Sequence, residues 1–95
     1  MVTHIVLLQP KIEVTDDQMM TVLDHVKALQ KAIPGIVDVR AGKNRSDYHQ
    51  GYTYGFVMQF SDAEHFKAYA PHPTHQVVSE ELQHICQKII DFDIE

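Results

Sequence analysis

The chain has 95 residues, a formal net charge of −5 and a single cysteine. That length holds one domain, residues 1–95, with a modest core that self-association would help. No basic run is present, which argues against a nucleic-acid partner, and the apolar run Ile5 to Leu8 is far too short for a membrane span or a signal core.

The first element is a strand, Thr3 to Gln9, apolar on both faces. His4, Val6 and Leu8 line one side, Ile5 and Leu7 the other, and Pro10 ends or weakens the pairing. Thr15-Asp16-Asp17-Gln18 reads as a capping box opening a helix that runs to about Ile33. Met19, Val22, Leu23, Val26, Leu29 and Ile33 form its apolar stripe, His25 lies on the flank, and Pro34-Gly35 stops it.

A second strand covers Ile36 to Gly42, and the polar stretch Lys43 to Gln50 reads as a solvated loop. The third strand, Tyr52 to Phe60, alternates, with Tyr52, Tyr54, Phe56, Met58 and Phe60 on one face. Ser61-Asp62-Ala63-Glu64 reads as a second capping box, starting a short helix that carries Phe66 and Tyr69 and stops at Pro71. Pro73 starts a third helix that reaches about Gln83. The last strand, Gln87 to Ile94, points Ile90, Phe92 and Ile94 one way and Ile89, Asp91 and Asp93 the other. Cys86 has no internal disulfide partner and has Ile85 and Ile89 nearby. It reads as an inert buried thiol, in keeping with a reducing, cytoplasmic setting.

The order β-α-β-β-α-β, with its second helix broken at the proline pair, specifies an α+β fold of the ferredoxin-like kind. Helices cover only one sheet face, yet strands one and three carry large apolar groups on both. The face left over is expected to hold His4, Val6, Leu8, Phe56 and Met58, and a second copy packed sheet to sheet, a homodimer, would cover it.

The densest chemistry lies in Tyr69-Ala70-Pro71-His72-Pro73-Thr74-His75. His75 falls in the first turn of the third helix, on the face that Val78 and Leu82 share, so its ring is expected to point into an apolar space. A titratable imidazole in such a space suits proton transfer, whereas a structural imidazole would simply satisfy a backbone carbonyl. A metal site at His72 and His75, with His4 approaching, lacks the third or fourth ligand that zinc normally takes. No metal is expected to be needed for folding, and no flavin or haem motif is present.

Taken together, His4 in the opening strand, Ile33-Pro34-Gly35-Ile36, Gly42-Lys43-Asn44, Gly51-Tyr52-Thr53, Phe60-Ser61-Asp62 and Tyr69-x-x-His72-Pro73-x-His75 resemble the stress-responsive A/B barrel family over essentially the whole chain. The resemblance implies a dimeric α+β barrel. One plant member of that family closes a linear polyketide by an intramolecular aldol condensation without a cofactor. The resemblance implies His75 as its catalytic histidine, Tyr69 as the assisting tyrosine, and His4, His72 and Asp93 as pocket residues.

The chain also departs from that member. Tyr54 stands where it has a histidine, Phe56 and Met58 replace smaller valines, and Val22, Leu23 and Val26 replace aromatics along its alkyl tunnel. These departures imply a reshaped pocket and a different substrate. Two functions therefore stand side by side. One is cofactor-free proton transfer on a small carbonyl compound, with His75 as base and Tyr69 or His4 steadying the oxyanion. The other is a non-catalytic, stress-related protein that binds a small apolar ligand or acts as a scaffold.

Overall fold

The computed structural model describes residues 1–95. Its elements are β1 (Val2–Pro10), α1 (Asp16–Ala32), β2 (Ile36–Lys43), β3 (Tyr54–Phe60), α2 (Ala63–Tyr69), α3 (Pro73–Ile85) and β4 (Cys86–Ile94). The four strands make one antiparallel sheet in the order β2-β3-β1-β4, the ferredoxin-like α+β arrangement that the element order specifies. No helix is long and apolar enough to cross a membrane.

α1 begins as its sequence dictates. The Thr15 hydroxyl accepts from the Gln18 N–H, and the Gln18 side chain accepts from the Thr15 N–H, so two otherwise unpaired donors are satisfied. Its buried stripe of Met19, Val22, Leu23, Val26 and Leu29 lies on the sheet. The helix ends where the Ile33 N–H reaches the Leu29 carbonyl, before Pro34. Gly35 then turns the chain at φ +92°, and a Cβ there would sit 2.3 Å from that of His65, so both conformation and space require glycine.

Element ends shift from the sequence reading by a residue or two in several places, and three of the differences have a clear local cause. Tyr52 and Thr53 precede β3, because the turn with positive φ at Gln50 and Gly51 is still being closed there, by the Tyr52 N–H on the His49 carbonyl. The second helix is capped by Asp62, not Ser61: its carboxylate accepts from the His65 N–H at 2.8 Å, a better acceptor one position later. β4 follows α3 with no intervening loop, since the Cys86 N–H still bonds to the Leu82 carbonyl.

The assignment of sheet faces is also corrected. His4, Val6, Leu8, Phe56 and Met58 are buried within the chain, beneath the helices. The uncovered face is the opposite one. β1 pairs Ile5 with Val57 and Phe92, and Leu7 with Gly55 and Ile90, so these residues share it. Phe92 is 56% and Ile94 51% exposed. Alternation identifies the two faces, but both are apolar in β1, and it does not say which the helices take. The helices cover the face where Phe56, Met58 and Phe60 offer the greater apolar bulk; the other face of β3 carries Gly55, Val57 and Gln59.

Adjacent positions in β3 should consequently respond differently to a charge. Met58→Asp should abolish the cooperative unfolding transition, because an ion at a fully buried position costs several kcal/mol. Val57→Asp should leave the far-ultraviolet circular dichroism of a folded chain. Equal loss of structure in both variants would contradict the face assignment.

Candidate functional site

β1 brings His4 to the inner face, where it is 7% exposed. The rings of Phe56, Phe60, Phe66 and Tyr69 surround it, with centroids 5.5–6.4 Å away. Opposite it on β4, the Asp93 carboxylate accepts a hydrogen bond from Nδ1. That contact fixes the ring's orientation and supplies the one polar partner in an otherwise aromatic surround.

The proline pair shapes the second half of the site. α2 ends at Tyr69, and His72 starts α3 as its N-cap, with Pro73 in the first turn. The Ala70 carbonyl between the two helices meets Nδ1 of His75 at 2.9 Å. A carbonyl only accepts, so Nδ1 carries the proton. In the neutral ring Nε2 then holds the lone pair of a base. The rings of Tyr69 and His75 lie 4.1 Å apart, centroid to centroid.

Tyr69 is 3% exposed, and its phenol makes no hydrogen bond within the protein. Burial, reinforced by the negative charge of Asp91, holds its pKa well above the ordinary tyrosine value. The phenol therefore stays protonated, as a donor must.

His4, Tyr69 and His75 line a cavity of about 370 Å³ together with Val6, Val26, Leu29, Phe56, Val78, Leu82, Ile89 and Asp91. The sheet forms its floor, and α1 and α3 cover it. These two helices are also joined outside, where Nδ1 of His25 lies 3.0 Å from the Glu81 carboxylate. His4, Tyr69, His75 and Asp91 further border a second, more polar hollow of about 320 Å³, with Lys67 and Asp93 on its wall. No group of three or more His, Cys, Asp and Glu side chains is placed to hold a metal ion.

Several residues expected at the pocket lie elsewhere. The His72 ring lines neither space; its Nδ1 accepts from the Thr74 N–H at 3.2 Å and caps α3. Tyr54 donates its hydroxyl to Asp16, and with Lys43 3.4 Å from that carboxylate the three make a polar cluster at the end of β3. Burial together with Asp16 pushes the Tyr54 phenol up to about 12. Leu8, Val22, Leu23 and Met58 are packed core and do not border the cavity. Cys86 is buried too, and burial lifts its thiol to about 11, which leaves little reactive thiolate near neutral pH.

Asp91, Ile89, Ser79 and Gln83 were not singled out, although each borders the cavity. A signal existed for all four. Ile89 and Asp91 share the strand parity of Asp93, and Ser79 and Gln83 continue the helical face that His75 begins.

A small ferredoxin-like sheet with a histidine- and tyrosine-lined space beneath its helices is the class of protein these features define. The chain matches the Stress responsive A/B Barrel Domain over residues 2–95 and belongs to that family. It is 28% identical over 94 residues to olivetolic acid cyclase of Cannabis sativa, covering 97% of this chain and 93% of that protein. A dimeric ferredoxin-like protein of unknown function from Jannaschia sp. CCS1 superposes with a TM-score of 0.87 at 33% identity, over 99% of this chain and 97% of that one. The hydroxynitrile lyase of Passiflora edulis superposes with a TM-score of 0.89 over 98% and 90% of the two chains; at 21% identity it reports on the fold alone.

The protected phenol has a consequence for stability. The unfolded chain loses the Tyr69 proton near pH 10, while the folded chain holds it to higher pH. The stabilising contribution is complete below about pH 10 and is lost as pH rises from there toward the folded value. Denaturant titrations across that range should show stability falling with pH, and a shallower fall in Tyr69→Phe. An identical slope in both proteins would contradict the burial of the phenol.

Proposed function

We propose that the chain is a single domain acting as a homodimeric α+β barrel, and that its inner cavity supports cofactor-free proton transfer on a small carbonyl compound. The dimer rests on the uncovered sheet face. Ile5, Leu7, Val57, Ile90, Phe92 and Ile94 form an apolar surface too continuous for a lone chain, and β4 adds a long apolar sheet edge. Proteins of this fold from Jannaschia sp. CCS1 and Thermobifida fusca are described as dimeric. Sedimentation of dilute protein should give the mass of two chains, with about 1,200 Å² or more buried between them. A well-folded monomer would contradict the assembly.

The observation that carries the chemistry is the hydrogen bond from Nδ1 of His75 to the Ala70 carbonyl, which leaves Nε2 as the free base beside a protonated phenol. In this reading Nε2 removes the proton α to a carbonyl. The electron pair of that C–H bond becomes the C=C bond of an enolate and the carbonyl π pair moves onto oxygen, where the Tyr69 O–H donates to the developing charge. An enolate so formed can attack a second carbonyl of the same molecule, forming a carbon–carbon bond, and the imidazolium returns the proton to the new alkoxide. His4, held by Asp93, sits across the same space as a second polar contact. Similarity to olivetolic acid cyclase supports this class of reaction. Val26 and Phe56, which do line the cavity, support a different substrate.

The test is hydrogen–deuterium exchange at the α-carbons of 1-hydroxy-2-octanone, followed by proton NMR. The protein should accelerate exchange above the buffer rate. His75→Ala should lower the accelerated rate by about 10²–10⁴-fold, and Tyr69→Phe by less. Exchange at the buffer rate with wild-type protein would overturn the catalytic reading in favour of ligand binding alone.

A further inference from the structure

Asp91 stands apart from the other polar groups of the site. It is the inward neighbour of Asp93 on β4 and pairs with Val6 on β1, which places it at the floor of the cavity. It borders both hollows, as only His4, Tyr69 and His75 also do. Most of the other polar groups there are engaged within the protein: Asp93 holds His4, His75 is anchored on Ala70, and the Gln83 amide donates to the Ser79 hydroxyl, while the Tyr69 phenol has a proton to donate. The Asp91 carboxylate makes neither a hydrogen bond nor an ion pair, and Lys67, the one cation on the second hollow's wall, does not reach it.

A carboxylate facing an apolar chamber acts on whatever enters. It repels an anion and accepts a hydrogen bond from a donor, and a ligand that fills the chamber displaces the water that would otherwise screen both effects. We propose that Asp91 is a specificity-determining residue that selects ligands with an apolar body and a hydrogen-bond-donating head, hydroxyl or ammonium, and rejects carboxylates. The proposal rests on the reading of this cavity as the ligand site and names the class of molecule it takes. For a carbonyl substrate it means a donor group close to the reacting carbon. That group lies against Asp91 and shields the forming oxyanion from the carboxylate's charge. Tyr69 already registers this charge, which contributes to holding its phenol protonated.

Three probes with one eight-carbon tail isolate the head group: 1-octanol, octylammonium and octanoate, each titrated below its micelle concentration and followed by the NMR shifts of Val6, Val78 and Tyr69. Wild-type protein should bind octanoate at least about tenfold more weakly than 1-octanol, and octylammonium most tightly, the separation expected for one charge at close range. Asp91→Asn, at an exposed position that the fold does not need, should bring the three affinities together, and Asp91→Glu should keep them apart. Octanoate bound as well as 1-octanol by wild-type protein, or discrimination unchanged in Asp91→Asn, would overturn the role of Asp91 while leaving the cavity as the ligand site. Failure of all three to shift the cavity residues would overturn the cavity reading itself, and the role of Asp91 with it.

Discussion

The register of β1 between its two neighbours is the constraint on which the rest of the site depends. β1 pairs with β3 on one side and β4 on the other, so one alternation fixes three strands at once. It sets His4 opposite Met58 and Asp93, and Val6 opposite Phe56 and Asp91. A slip of one residue would exchange the two faces. His4 would turn outward, away from Tyr69 and Phe66, and Ile5 would take its place. Between them, the ring of aromatic side chains around His4 and the carboxylate that meets its Nδ1 oppose such a slip.

The helical half of the site depends on a local break. A continuous helix from Ala63 to Ile85 would have bonded the Ala70 carbonyl to a backbone N–H four residues on. Position 74 would have supplied that N–H, but Pro71 and Pro73 interrupt the ladder, and the Thr74 N–H turns to His72. The Ala70 carbonyl is left for His75, which fixes the tautomer of that ring. One backbone interruption thus accounts for three features: Tyr69 and His75 approach each other, the His75 base is oriented, and His72 becomes a cap.

The fold was legible because its signals are local and redundant. The Thr15 capping box, the stripe from Met19 to Leu29, the alternation of β3 and the proline pair each specify an element without reference to the others. The candidate site was legible in part. His4, Tyr69 and His75 follow from strand and helix phase together with the family motif. What failed needed tertiary information. Which apolar face the helices cover depends on total bulk across four strands, not on any one of them. The turn of His72 onto its own helix end is settled by a backbone N–H within two residues, a competition that motif position does not show. Tyr54 was drawn away from the pocket by Asp16, a partner 38 positions distant. Asp91 passed unnoticed because a carboxylate on an edge strand is usually solvated, and only the packing of α3 over β4 gives it a cavity to face.

The central claim is that His75 offers a free Nε2 to the cavity. Long-range proton–nitrogen NMR correlation on nitrogen-15-labelled protein reads this directly, since protonated and unprotonated ring nitrogens of a neutral imidazole have well-separated shifts. The account predicts that, above the pH at which the ring becomes neutral, His75 shows a protonated Nδ1 and an unprotonated Nε2. The opposite tautomer, with the proton on Nε2 and a bare Nδ1 facing the Ala70 carbonyl, would contradict it.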